Sequence, residues 1–258
     1  MAEATLKPSS SPIIELRVLG TLALSGGAAG GAETLLGQPK ALAVLIYLVL
    51  ARPQGFQQRD RLAALFWPDL DQKRARDSLR KTLQRIRESL GEEIQCNRGK
   101  ELVAASADRI CCDARRFEEC VDREYFREAL ELYRGELLPG FNVPDCREIS
   151  EWLDLERAHY GARAVTAAWR LVDVLANQRD FTDATRVSRL VLQLAPTDER
   201  MLRRVLTLLV RLGDRAGALA AYDRFAERLW NAYETPPSPE TERLVEAIKL
   251  GAPTGSPS

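Results

Sequence analysis

The sequence predicts a mainly α fold, with small antiparallel sheets near the start and an all-α helical bundle after them. Three observations carry this. Leu79, Leu83, Ile86 and Leu90 recur at i, i+4, i+7 and i+11, with Ala75 one turn earlier, which is the apolar stripe of a surface helix. Strand-like runs bounded by glycine or asparagine occur only in the first 105 residues. Beyond Asp113 nearly every segment has helical periodicity, and part of it repeats at an offset of 34 residues.

The first strands are read at 13–24, IIELRVLGTLAL, as two short segments around Gly20. Residues 25–32, SGGAAGGA, form a flexible loop. It is not read as a phosphate-binding loop, because no Lys-Ser/Thr pair follows it. A further short strand is expected at 33–36. Three helical patterns come next. Residues 39–50 are strongly apolar, 58–66 point Leu62, Leu65 and Phe66 inward, and 72–90 carry the stripe described above, with Gly91 as a C-terminal stop. Two strands, 94–96 and 102–104, flank Asn97-Arg98-Gly99-Lys100 and read as a hairpin with a basic tip. Strands, three helices and a hairpin, in that order, make a winged helix, whose third helix enters the major groove of DNA.

The second part opens with Asp113, a suitable N-cap for the helix that follows. Residues 125–133 form one helical segment. A Gly/Pro-rich break follows, and then a long amphipathic stretch from 149 to about 177. Ala184, Ser188 and Val191 are matched by Ala218, Tyr222 and Phe225, and Asp180 by Asp214, all 34 residues apart, the tetratricopeptide period. Small alanines let such hairpins approach closely. Ser238 and Pro239 read as the N-cap and first position of a last helix. Trp67, Trp152, Trp169 and Trp230 are expected as core anchors. The first domain is expected at 13–108 and the second at 110–248, with disordered tails at 1–12 and 250–258.

Charge and cysteines bound the function. The 37 basic and 37 acidic residues cancel, which excludes a uniformly basic coat. They are unevenly placed: residues 1–110 hold 16 Lys+Arg against 12 Asp+Glu, and the remainder 21 against 25. That suits a DNA-binding half joined to a more acidic one. Five cysteines without CxxC spacing read as reduced thiols. Residues 1–12 have no apolar signal-peptide core, and the apolar run 41–51 is far short of the roughly 20 residues of a membrane span. A cytoplasmic protein with no membrane partner is expected. The single histidine, His159, has no second histidine beside it, so a packing role is expected rather than a metal or acid–base one.

The helix 72–90 carries the candidate site. Wound at 100° per residue, it sets Arg80, Lys81, Gln84 and Arg85 opposite the apolar stripe, where long side chains reach base edges. Lys73, Arg74, Arg76, Arg87, Arg98 and Lys100 are placed to grip phosphates.

Several motifs together resemble a known family: Leu16–Gly20, RDRLAALFW from Arg59, Ser78-Leu79-Arg80 through Arg87, Arg116-Phe117-Glu118, Gly213-Asp214 with Ala218–Tyr222, and Pro237–Glu240. Residues 13–104 resemble an OmpR-type winged helix, and 110–248 resemble the bacterial transcriptional activator domain. The pair is similar to the Streptomyces antibiotic regulatory proteins, the SARP type. The short wing lacks the usual glycine-tyrosine signature. By this resemblance Arg85 matches a base-contacting arginine and Arg87 a backbone-contacting one. The resemblance implies a regulator, an activator, bound to double-stranded promoter DNA as a homodimer and touching RNA polymerase. No cofactor, metal or catalytic residue is expected. A tetratricopeptide-type adaptor without DNA binding is the alternative. An enzyme is disfavoured, since no nucleophile–base pair, P-loop or metal cluster is visible.

Overall fold

The computed structural model describes residues 14–251; the tail expected at 1–12 and most of that at 250–258 lie outside the described residues. The chain forms two compact units. One runs to Asp122 and includes Glu131–Tyr160; the other comprises Arg123–Leu130 and everything from Gly161.

In the first unit, β1 (Ile14–Arg17) and β2 (Ala23–Ser25) pair antiparallel. A helix, α1 (Gly31–Leu36), stands where a strand was expected. Four residues are too few for periodicity to decide between the two. The deciding contact is non-local. A Cβ on Gly31 would lie 2.0 Å from the Ser89 carbonyl oxygen, so only glycine admits this approach. Leu35 is thereby fully buried. The next helix, α2 (Pro39–Leu50), is buried at every position from Ala41 to Leu50, as an apolar-all-round central helix must be.

Next come β3 (Gln57–Gln58), α3 (Arg59–Phe66) and α4 (Gln72–Leu90). Leu62 and Phe66 of α3 are buried, while Leu65 is only half-buried. Asp71 caps α4 by accepting the Arg74 N–H at 3.0 Å, and Gly91 ends it at φ 106°. Its buried face is Ala75, Leu79, Thr82, Leu83, Ile86, Ser89 and Leu90, the predicted stripe widened by two small hydroxyls. The hairpin of β4 (Gln95–Arg98) and β5 (Leu102–Ala105) pairs as expected, and β3 adds to β5. The last strand, β6 (Ile110–Cys112), pairs with β1 in parallel, which the sequence reading did not anticipate.

Asp113 opens α5 (Asp113–Asp122). Its carboxylate accepts the Val18 and Leu19 N–H groups at 2.9 and 3.1 Å, as well as that of Ala114. It therefore ties the end of β1 to the first turn of α5. Burial is the main influence on this carboxyl and raises its pKa. Phe117 of α5 lies between Tyr133 and Tyr160, with ring centroids 5.6 and 5.9 Å away. His159 packs at 2.8 Å from the Glu118 carboxylate. Beside it Glu156 is 4% exposed and accepts from Arg52 at 2.7 Å.

The second unit includes part of α6 (Phe126–Leu132) and the second half of α7 (Arg147–Asn177), with α8 (Phe181–Leu194), α9 (Glu199–Arg211), α10 (Arg215–Tyr233) and α11 (Pro239–Leu250). The repeat is visible in its turns. Asp180 caps α8 through the Asp183 N–H at 3.1 Å, and Asp214 caps α10 through the Gly217 N–H at 2.8 Å. Ala184 and Ala218 are both fully buried. Ser238 and Pro239 stand at the N-cap and first position of α11 as read, but the Ser238 side chain makes no cap bond; the Glu199 carboxylate accepts its N–H at 2.9 Å and its hydroxyl as well. One local expectation fails. Trp230 is 56% exposed rather than a core anchor. The buried stripe of α10 is Ala218, Ala221, Phe225 and Leu229, and Trp230 sits 100° round from Leu229. Of the other three, Trp169 is buried and Trp67 and Trp152 are half-buried. Thus the fold class is as read: mainly helical, with small sheets in the first part.

Candidate nucleic-acid interface

Every predicted site residue lies in the first unit, on α4 or the β4–β5 hairpin. With the stripe of α4 buried, Lys73, Arg74, Arg80, Lys81, Gln84 and Arg85 all point to solvent. Their local partners differ. Arg74 pairs with its own helix cap Asp71 at 3.3 Å, and Arg80 with Asp77 at 3.7 Å. Gln84 donates to Glu88 at 2.8 Å. Among the described residues, no ion pair holds Lys73, Lys81 or Arg85. Exposed pairs of this kind hold their partners weakly, so these side chains are free to exchange a carboxylate for another anion.

Two residues are more firmly engaged. Arg76 hydrogen-bonds the Asp60 carboxylate of α3 through two guanidinium nitrogens, with Glu101 at 3.7 Å. These bonds hold the Asp60 carboxyl below its usual range and raise the Arg76 guanidinium. The contribution of Asp60 is present at neutral pH and is lost as pH falls through its lowered pKa. Arg87 is half-buried and pairs with Glu92 at 3.4 Å. Arg76 thus braces α3 against α4, and Arg87 fastens the end of α4 to the turn after it. At the hairpin, the Arg98 guanidinium lies 4.9 Å over the exposed ring of Phe56, and Lys100 is exposed at the tip.

The structure adds residues that the sequence reading missed. A cleft of about 630 Å³ lies beside α4. Lys81 and Arg85 form one wall; Lys40, Gln38 and Trp67 form another. Pro39 is the first residue of α2, and Gln38 makes no side-chain cap, so the Lys40 and Ala41 N–H groups end the helix without intrahelical partners. That terminus favours an anion through its dipole. Lys40 Nζ sits 5.7 Å from the Trp67 ring centroid. The only local signal was Pro39-Lys40 opening an apolar helix; the link to α4 is tertiary.

Among the described residues no group of His, Cys, Asp or Glu could hold a metal, and no helix is long and apolar enough to cross a membrane.

A first unit of small sheets and helices, with an exposed basic helix and a hairpin, is followed by helical repeats. Residues 105–249 match the family model of the bacterial transcriptional activator domain, and the chain belongs to that family. The family and the fold agree with the SARP-type make-up that the sequence resembles. Among solved structures, the chain is similar to "Mycobacterium tuberculosis EmbR in complex with low affinity phosphopeptide", at 17% identity and a TM-score of 0.57. That match covers 94% of this chain but 66% of the other, and shows the fold alone. No curated protein matches the chain.

Proposed function

We propose that this protein is a sequence-specific DNA-binding regulator of transcription, an activator, which places α4 in the major groove. The observation that carries the reading is the outward face of α4. Arg80, Lys81, Gln84 and Arg85 project from a helix whose opposite side is buried, beside the open N-terminus of α2. Arginine and lysine suit guanine edges there, and glutamine suits adenine. We assign Lys73, Arg74, Arg98 and Lys100 to phosphates, as expected from sequence, and add Lys40. Arg76 and Arg87, each held by a carboxylate, serve the interface by bracing it. The second unit would join two protomers or contact RNA polymerase.

Replacing Arg85 with Ala is expected to cost about 1–3 kcal/mol on the specific site, with much less effect on random DNA. Replacing Lys73 with Ala should weaken both by similar factors. Competitive binding to the two DNAs measures this. Equal losses for Arg85→Ala would put the groove-facing side elsewhere on the helix.

One winged helix covers few base pairs, so two protomers are expected head-to-tail on direct repeats about 10–11 base pairs apart. A footprint of a single repeat, with one protomer by mass, would contradict this arrangement.

A further inference from the structure

A second cationic site lies within the first unit, away from α4. Residues from three separate stretches line a cavity of about 140 Å³: Glu15 and Arg17 of β1, Asp113 and Arg116 at the start of α5, and Arg134. Two contacts bring them together. The parallel pairing of β1 with β6 sets Leu16 opposite Cys112, beside the first turn of α5. The segment carrying Arg134 is then laid along the end of β1. Leu138 N–H donates to Val18 at 2.7 Å, and Gly20 N–H donates to Glu136 at 2.9 Å. The backbones touch: a Cβ on Gly20 would lie 2.8 Å from the Arg134 carbonyl carbon, and one on Gly135 3.0 Å from the Gly20 Cα. Arg134 therefore starts from a fixed piece of backbone.

The charges do not cancel locally. Both carboxylates are already engaged. Asp113 accepts three backbone N–H groups, from Val18, Leu19 and Ala114. Glu15 pairs with Arg17 at 3.5 Å. Among the described residues Arg116 and Arg134 have no ion-pair partner. Two free guanidinium forks facing one small cavity match the oxygens of a tetrahedral dianion, which accepts paired N–H bonds from arginine. A cavity of about 140 Å³ takes a group no larger than a phosphoryl group or a single small ring, and suits the terminal group of a ligand.

We propose that this pocket binds a phosphoryl group, either as free phosphate or as the monoester of a small molecule, with Arg116 and Arg134 as its principal ligands. The site is separate from the DNA face and does not rest on the DNA-binding reading.

The test is titration calorimetry on the full chain with inorganic phosphate, and in a second arm with phenyl phosphate. Saturable 1:1 binding is expected for the wild type. Arg134→Ala and Arg116→Ala should each weaken it about tenfold, the loss of one charge-assisted contact. Arg85→Ala on the DNA face should leave it unchanged. Both pocket arginines are exposed, so folding should survive, and unchanged circular dichroism melting checks this. Binding of phenyl phosphate as tight as that of phosphate would identify an organic monoester as the ligand class; binding of phosphate alone would identify the inorganic ion. No saturable binding, or binding lost in Arg85→Ala and kept in Arg134→Ala, overturns the proposal.

Discussion

Binding to promoter DNA is expected to weaken by about three orders of magnitude per protomer when salt rises from about 50 to about 200 mM. The five cations assigned to phosphates, Lys40, Lys73, Arg74, Arg98 and Lys100, are exposed or line the open cleft beside α4. Each phosphate neutralised contributes about −0.9 to the slope of log K against log[salt]. Five give about −4.5, and two protomers on one site double it. Arg76 and Arg87 are left out because Asp60 and Glu92 tie them to neighbouring elements, whereas the Arg74–Asp71 pair is an exposed contact within one helix end that phosphate can replace. Anisotropy titrations over a potassium chloride series measure the slope. An affinity indifferent to salt would remove the DNA-binding reading and favour the adaptor, in which the repeats alone act.

Replacing Leu83 with Ala is expected to destabilise the protein by about 2–5 kcal/mol. Leu83 is 2% exposed and sits mid-stripe on α4 between Leu79 and Ile86, so truncation leaves a cavity that its neighbours cannot easily fill. DNA binding should fall only as far as the folded fraction does. Arg85→Ala provides the contrast, since its side chain is exposed and its melting temperature should match the wild type. Thermal unfolding of both variants, followed by circular dichroism, separates the two sides of one helix. Equal melting temperatures for Leu83→Ala and the wild type would mean that the stripe does not carry the packing assigned to it.

What could be read beforehand was whatever a single period encodes. The α4 stripe, the all-apolar α2 and the 34-residue repeat are one-dimensional patterns, and the structure keeps them. What escaped was fixed by partners distant in sequence. Residues 33–36 resemble a strand until Gly31 meets Ser89. Ser238 holds the N-cap position its sequence announces, but its hydroxyl goes to Glu199, 39 residues earlier, which no local pattern shows. Trp230 resembles a core residue because tryptophan is large, but its angular position on α10 decides its exposure, and size does not. In the candidate site the helix face was legible. The counter-ion of Arg76 was not, since Asp60 lies on another helix; nor was Lys40, which joins the face only when α2 packs beside α4.

The parallel pairing of β1 with β6 sets an order of events. Ile14 faces Ile110, and the Val18 N–H waits for a carboxylate 95 residues downstream. During synthesis from the N-terminus, α2, α3 and α4 are all made before the first strand has its second neighbour. Contacts this distant in sequence are slow to close, whereas the helices between them form locally. Helices α2, α3 and α4 therefore assemble first, and the strand that precedes them is secured only once Asp113 has emerged.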